Sequence, residues 1–274
     1  MSTLFNGVCT ALVTPFKNKE VDFKAFGNLI QRQLGADTDA LCILGTTGEA
    51  STLTTEEKHA IIKFSLETVA GKVPIVFGIG GNNPKDIIEL GKFIAKTPAI
   101  PLTKGGIGVM VTAPYYNKCT QDGAVEFFNT VANAIKLPMI VYNVPGRTGV
   151  NLEPETIARI CINRYICGVK EASGNIEQIA NVVRLCKKPV YSGDDTIALP
   201  CYAVGCRGII SVASNVRPKE VREIWLKRSK RLFLCELPFY RSLFVQVNPI
   251  PVKRVLAGMG LINNELRLPL TAME

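Results

Sequence analysis

Short, nearly unbroken apolar runs alternate along the chain with longer segments in which apolar residues recur every three or four positions. Eight such runs occur, at 7–14, 40–44, 73–78, 106–111, 137–142, 165–169, 189–191 and 208–212. Continuous rather than alternating hydrophobicity suits strands covered on both faces, as in a parallel sheet. The intervening segments carry helix signals. Asp22 can cap a helix over 23–34 whose apolar residues Phe23, Phe26, Leu29, Ile30 and Leu34 share one side. Thr54-Thr55-Glu56-Glu57 is a capping-box sequence, and Asn83-Pro84 places a cap and a first-turn proline before an apolar stretch. Helices at 122–135, 154–162 and 173–185 follow the same scheme. A seventh, after Asp194-Asp195, is expected to be interrupted by Pro200.

Strand then helix, about eight times and with no linker between units, predicts an α/β fold of the (β/α)8 TIM-barrel type. The barrel is expected over 1–215, with a shortened C-terminal helical region over 216–274 packed on it. A doubly wound sheet is the alternative, but no Gly-x-Gly-x-x-Gly follows the first strand, where a dinucleotide fold would need it.

Composition narrows the function classes. The chain has 274 residues, 47% hydrophobic and 20% charged, enough apolar surface to exclude disorder. Its richest apolar run, 105–116, is too short to span a membrane. The N-terminus lacks the basic and apolar regions of a signal peptide, so a cytoplasmic address is expected. Nine cysteines, an odd number without a Cys-x-x-Cys pair, read as reduced and mostly buried. With His59 as the single histidine, no metal site and no metal cofactor are expected. The net charge of +9 concentrates at 217–231, where seven Lys and Arg face Glu220 and Glu223. No stacking aromatics are interleaved as a single-strand binder would want, so the segment is read as a solvated helix face, with no nucleic-acid partner. Such a field also attracts anionic metabolites.

In a barrel of this type the active site lies at the C-terminal ends of the strands. The candidates there include Thr14, Thr46, Thr47, Glu49, Tyr115, Tyr116, Asn117, Tyr142, Asn143, Arg147, Lys170, Glu171, Asp194, Asp195 and Ser211. Lys170 stands out because it directly follows an apolar strand. A lysine in a shielded barrel mouth loses hydration of its ammonium form, which frees an amine to attack a carbonyl. The plainer reading is a strand-end lysine that reaches out to solvent. Schiff-base chemistry needs proton shuttling, for which Tyr142, Thr46, Thr47 and Tyr116 form a set of hydroxyls; as a plainer alternative, they are ordinary strand-end polar groups. The Gly45-Thr46-Thr47-Gly48 turn also offers backbone N–H groups to a small carboxylate. Ser211 lacks an imidazole partner, since His59 falls within a helix and is read as partly exposed.

Gly45-Thr46-Thr47-Gly48-Glu49, Pro114-Tyr115-Tyr116-Asn117, Tyr142-Asn143-Val144-Pro145-Gly146-Arg147-Thr148 and Val169-Lys170-Glu171-Ala172 closely resemble the motifs of the 4-hydroxy-tetrahydrodipicolinate synthase (dihydrodipicolinate synthase) family. Ser192-Gly193-Asp194-Asp195, Gly208-Ile209-Ile210-Ser211 and Asn248-Pro249-Ile250-Pro251-Val252-Lys253 extend the resemblance, which runs in order from about Gly7 to Leu270. It implies a class I aldolase-like lyase that condenses pyruvate with L-aspartate-4-semialdehyde, the first committed step of the diaminopimelate route to lysine. By position, Lys170 forms the imine with pyruvate, Tyr142 donates and accepts protons, and Thr46 relays them to Tyr116 of a neighbouring subunit. Thr47 and the backbone at Ile210 hold pyruvate, and Arg147 meets the semialdehyde carboxylate. No cofactor beyond the substrate imine is implied.

Within the superfamily, N-acetylneuraminate lyase shares the lysine and tyrosine, but Gly45-Thr46-Thr47 and Arg147 after Val144-Pro145 favour the synthase. An inactive barrel with a binding or structural role is the alternative of a different class. Two departures from the family pattern stand out. The stretch 215–248 is shorter than the family pattern, and the chain ends early at Glu274. The resemblance implies a homotetramer built as a dimer of dimers, and the shortened C-terminal region leaves a tight dimer alone as the alternative. At the effector positions Asn82 and Tyr115 match the family's feedback-regulated members, whereas Thr55 and Lys58 replace imidazole or carboxylate groups. A cationic Lys58 disfavours a cationic effector, so weak or absent inhibition by L-lysine is expected.

Overall fold

Eight parallel strands close on themselves in the order in which the chain lays them down. The computed structural model describes residues 3–97 and 106–273. Residues 1–2 of the N-terminal reading, Gly105 at the start of the apolar run and the final Glu274 lie outside it. The barrel strands are β1 (Gly7–Ala11), β4 (Ala40–Ile43), β5 (Ile75–Gly78), β6 (Ile107–Thr112), β7 (Met139–Asn143), β8 (Ile166–Glu171), β9 (Val190–Ser192) and β10 (Gly208–Ser211). β1 pairs with both β10 and β4, which shuts the ring. A two-stranded ribbon, β2 (Phe16–Lys17) and β3 (Glu20–Val21), lies between β1 and the first helix.

The helices between strands start where the sequence signals place them. Asp22 accepts from the Ala25 N–H ahead of α1 (Phe23–Leu34). Thr54 and Glu57 form the reciprocal capping box of α2 (Thr55–Val69), and Asn83 caps α3 (Pro84–Lys96). α4 (Gln121–Ile135) is capped by Thr120 and α7 (Ile176–Leu185) by Asn175, each shifting the start from the expected boundary. α5 (Pro145–Thr148) is a single turn, followed by α6 (Pro154–Ile160).

Pro200 does not interrupt a helix. It is the third residue of the short α8 (Ala198–Ala203), where its missing N–H is one that no intrahelical bond would use. A 3-10 turn, Asp195–Ile197, precedes it and absorbs the residues expected to be helical. α9 (Pro218–Lys227) packs against β1 in the place of an eighth crossover helix. It is followed by α10 (Lys230–Ser242) and α11 (Ile250–Gly258).

The core has two parts. A larger apolar layer lies between the strands and the helices, and a smaller one fills the barrel. At the N-terminal end Phe5 stacks on Tyr191 with ring centroids 4.3 Å apart, and the Tyr191 hydroxyl donates to the Phe5 carbonyl. Gly168 makes room for that ring, since a Cβ there would stand 2.8 Å from Tyr191 Cε2. The barrel is thus packed at this end and open at the other.

All nine cysteines are free thiols, seven of them buried. No helix among the described residues is long and apolar enough to cross a membrane. In the basic 217–231 segment, Arg217 binds both Glu236 carboxylate oxygens at 2.8 and 2.6 Å, and Lys227 pairs with Glu223 at 2.9 Å.

Candidate active site

Lys170 lies inside β8 rather than after it, because the strand continues through Glu171. Alternation across the strand then decides the two neighbours' roles. Lys170 points into the barrel and is 7% exposed. Glu171 points the other way, where its carboxylate accepts from Asn143, Ser173 and Gln178, and burial raises its pKa. β7 and β8 are in register at Tyr142 and Lys170, which places the ammonium nitrogen 4.2 Å from the centre of the Tyr142 ring. No carboxylate among the described residues pairs with Lys170. Its surroundings include Cys9 and Cys42, whose thiols burial holds protonated; that of Cys42 is pushed up to about 11. The lysine therefore faces neutral groups and a phenol.

Gly193, at the end of β9, gives Lys170 its space. A Cβ at this position would stand 2.6 Å from the Ala172 Cβ and 3.1 Å from Lys170 Cε. The neighbouring Asp194 and Asp195 are the candidates that the sequence suggests here. Both serve the backbone: Asp194 accepts from Thr196, and the buried Asp195 accepts from Ser211 and from the N–H groups of Val212 and Ala213. Ser211 is thereby occupied as a donor to Asp195, and His59 stacks on Phe93 at 3.6 Å on the helical layer.

Across the barrel, β4 runs into a 3-10 turn, Thr46–Gly48. The turn uses the N–H groups of Gly48 and Glu49, bonded to Gly45 and Thr46 carbonyls, and leaves those of Thr46 and Thr47 unused by it. Three contacts fix the turn from below. Thr14 Oγ1 donates to the Gly48 carbonyl at 2.7 Å. Lys253 Nζ donates to the Thr14 carbonyl at 2.9 Å and to Glu49 Oε1 at 2.6 Å, and both members of this ion pair are buried from solvent. Burial lowers the Lys253 pKa, while the Glu49 charge opposes that shift. Glu49 Oε2 also accepts from the Arg267 N–H, and Arg267 forks onto Glu57.

Asn248, which the sequence reading quoted as part of a motif without assigning it a task, joins two candidates. Its Nδ2 donates to Thr47 Oγ1 at 2.9 Å, and its backbone carbonyl accepts from Arg147 Nη2 at 3.2 Å. A cavity of about 440 Å³ opens at this end of the barrel, lined by Thr46, Tyr142, Arg147, Thr148, Tyr115 and Lys58 among others. Lys58 is partly desolvated there, which lowers its pKa. Lys170, Thr47 and Ile210 are buried and are not among the residues that line this cavity; Ile210 pairs with Cys9 in the β1–β10 ladder.

Tyr116 is not brought to this site within the chain. Its side chain is 90% exposed, on a loop where its backbone has φ +70° and its N–H bonds the Thr148 carbonyl at 3.2 Å. Asn82 anchors the same loop through reciprocal 2.8 Å bonds with the Tyr115 backbone. No group of three His, Cys, Asp or Glu side chains among the described residues is placed to hold a metal ion.

The profile of the Dihydrodipicolinate synthetase family matches residues 4–274. A 4-hydroxy-tetrahydrodipicolinate synthase of Alkaliphilus oremlandii is 44% identical, over 99% of this chain and 94% of its own length. Among solved structures, a dihydrodipicolinate synthase variant described as monomeric superposes with a TM-score of 0.94 at 41% identity, covering 99% of this chain and 92% of that one. The chloride-inhibited dihydrodipicolinate synthase of Acinetobacter baumannii, complexed with pyruvate, gives a TM-score of 0.93 at 36% identity, covering 99% and 94%. With its closed (β/α)8 ring, a buried lysine beside a tyrosine and a match along nearly its whole length, the chain belongs to the dihydrodipicolinate synthase family.

Proposed function

We infer that this chain is a 4-hydroxy-tetrahydrodipicolinate synthase, a lyase that condenses pyruvate with L-aspartate-4-semialdehyde through an imine on Lys170. The observation that carries the assignment of the nucleophile is the placement of Lys170, buried in the barrel mouth with its nitrogen 4.2 Å from the Tyr142 ring and no paired carboxylate among the described residues. In this reading the neutral amine attacks the keto carbon of pyruvate, and loss of water from the carbinolamine gives the imine. Removal of a proton from the pyruvate methyl group gives an enamine, whose carbon attacks the aldehyde of the second substrate. That substrate's own amine then displaces Lys170 as the ring closes, so one water leaves overall and the lysine is regenerated.

Tyr142 is the proton donor and acceptor for these steps, and Thr46 at the cavity wall relays protons between Tyr142 and Tyr116. Tyr116 comes from a second copy of the chain; its near-complete exposure in the single chain supports this. A tight dimer therefore completes the site, alone or as half of a tetramer. Thr47, the turn's free N–H groups and the Ile210 backbone hold pyruvate, and Arg147 at the rim binds the semialdehyde carboxylate in a charge-assisted fork. The chemistry needs no cofactor beyond the substrate imine. A cytosolic address fits the nine free thiols.

The test is turnover with defined substrates. Purified protein supplied with pyruvate and L-aspartate-4-semialdehyde should form the cyclic product and consume both in equal amounts. Cleavage of N-acetylneuraminate in place of that condensation would contradict the substrate assignment, and no turnover of either would contradict the enzyme reading.

A further inference from the structure

We propose that Asn248 is a positioning residue that keeps the Thr47 hydroxyl available as a hydrogen-bond donor to the pyruvate carboxylate. The inference rests on the reading above in which Thr47 holds pyruvate. A threonine hydroxyl has one proton and two acceptor lone pairs. Asn248 Nδ2 donates into Thr47 Oγ1 at 2.9 Å, so the contact uses a lone pair and leaves the proton free. The Thr47 side chain forms no other hydrogen bond among the described residues. Its proton is thus free for another acceptor, which in the reading above is the pyruvate carboxylate.

Two further observations separate this arrangement from ordinary packing. Asn248 is 6% exposed, yet its Oδ1 is buried without a partner. A leucine would fill a similar volume without leaving an acceptor unpaired, and what leucine lacks is the amide donor. The residue is also rigidly placed. Five positions later Lys253 is locked to Glu49 and the Thr14 carbonyl, beneath the same turn that carries Thr47. The link to Arg147 runs through the Asn248 backbone carbonyl, not its side chain. Side-chain substitutions should therefore act on pyruvate and spare the semialdehyde.

The experiment measures kcat and separate KM values for both substrates, with melting temperature, for Asn248→Ala, Asn248→Asp, Thr47→Val and the Thr47→Val/Asn248→Ala double variant. Asn248→Ala should raise the pyruvate KM roughly five- to tenfold, as expected for one oriented hydrogen bond, with the semialdehyde KM within twofold of wild type. Asn248→Asp should be worse than alanine, because its carboxylate captures the Thr47 proton and repels the pyruvate carboxylate. The double variant should be no worse than Thr47→Val alone. An Asp variant equal to wild type, an unchanged pyruvate KM in the alanine variant, or multiplying effects in the double variant would each overturn the proposal. The aspartate variant keeps the side-chain shape and decides the matter should alanine not fold. A wild-type protein that forms no imine with pyruvate would overturn the functional reading itself; an active wild type indifferent to Asn248 would overturn this inference alone.

Discussion

In the reaction proposed above, the chemistry turns on the placement of one residue, Lys170, within β8. Position after an apolar run was enough to nominate it, since the ends of barrel strands converge on one mouth. The register that sets Tyr142 beside it was not legible, because pairing between β7 and β8 depends on the closed ring rather than on local pattern. Gly193 and Asn248 were missed as individual residues for a related reason. Glycine carries no chemical signal, and its value here is the absence of a Cβ that would stand 3.1 Å from Lys170 Cε. We expect Gly193→Ala to leave the fold intact, as judged by circular dichroism, and to lower kcat, because the added methyl group presses Ala172 and the Lys170 Cε aside. An alanine variant with wild-type kcat would mean that the lysine tolerates displacement.

Helices α1, α2 and α3 begin where their capping residues predict, since caps are local interactions between residues two or three positions apart. Strand ends and the α8 segment were less legible. β8 extends over Lys170 and Glu171 because ladder partners in β7 and β9 continue opposite them, which no apolar run reveals. The C-terminal segment from Asn248 to Arg267 was the least legible part, since its contacts join residues more than 200 positions apart. Lys253→Met should destabilise the fold by about 3–5 kcal/mol by leaving the Glu49 carboxylate buried without its countercharge, whereas Lys253→Met with Glu49→Leu should recover much of that loss. Urea unfolding of the four proteins in the cycle measures it, and equal losses in single and double variants would refute the coupling. A second expectation concerns acid. The Arg267 hydrogen bond and charge hold the Glu57 carboxyl below its ordinary range. Such a depressed acid contributes stability above its unfolded pKa of about 4.3, and that contribution is lost as pH falls through the folded value. Amide protection factors around Arg267, corrected for the intrinsic pH dependence of exchange, should therefore fall below about pH 4, and Arg267→Ala should remove this change.

For the whole molecule, the barrel was legible because its repeating unit is local: an apolar run, a cap and an amphipathic helix, about eight times over. Assembly is not local, and Tyr116 illustrates the difference. Its motif placed it in the site, while the single chain leaves it 90% exposed. If a second copy supplies it, Lys170→Ala and Tyr116→Phe proteins should each be nearly inactive alone and regain activity when mixed under subunit exchange. The mixed dimer contains one site with both an intact lysine and an intact tyrosine. Failure to regain activity in verified mixed dimers would contradict the shared site. The expectation of weak lysine feedback also belongs to this scale, and Lys58, on which it rests, lines a cavity together with Tyr115. A positive charge there opposes a cationic effector. Titration with L-lysine should give weak or no inhibition, and half inhibition below about 1 mM, an affinity on the order of 4 kcal/mol, would contradict this.

The proposed reaction depends first on an imine between Lys170 and pyruvate. Borohydride reduction in the presence of pyruvate, followed by intact and peptide mass measurement on wild type and Lys170→Ala, tests it most directly. A reduced pyruvyl adduct is expected on the Lys170 peptide and none in the alanine variant. A folded wild-type protein without an adduct, or with the adduct on another lysine, would contradict it.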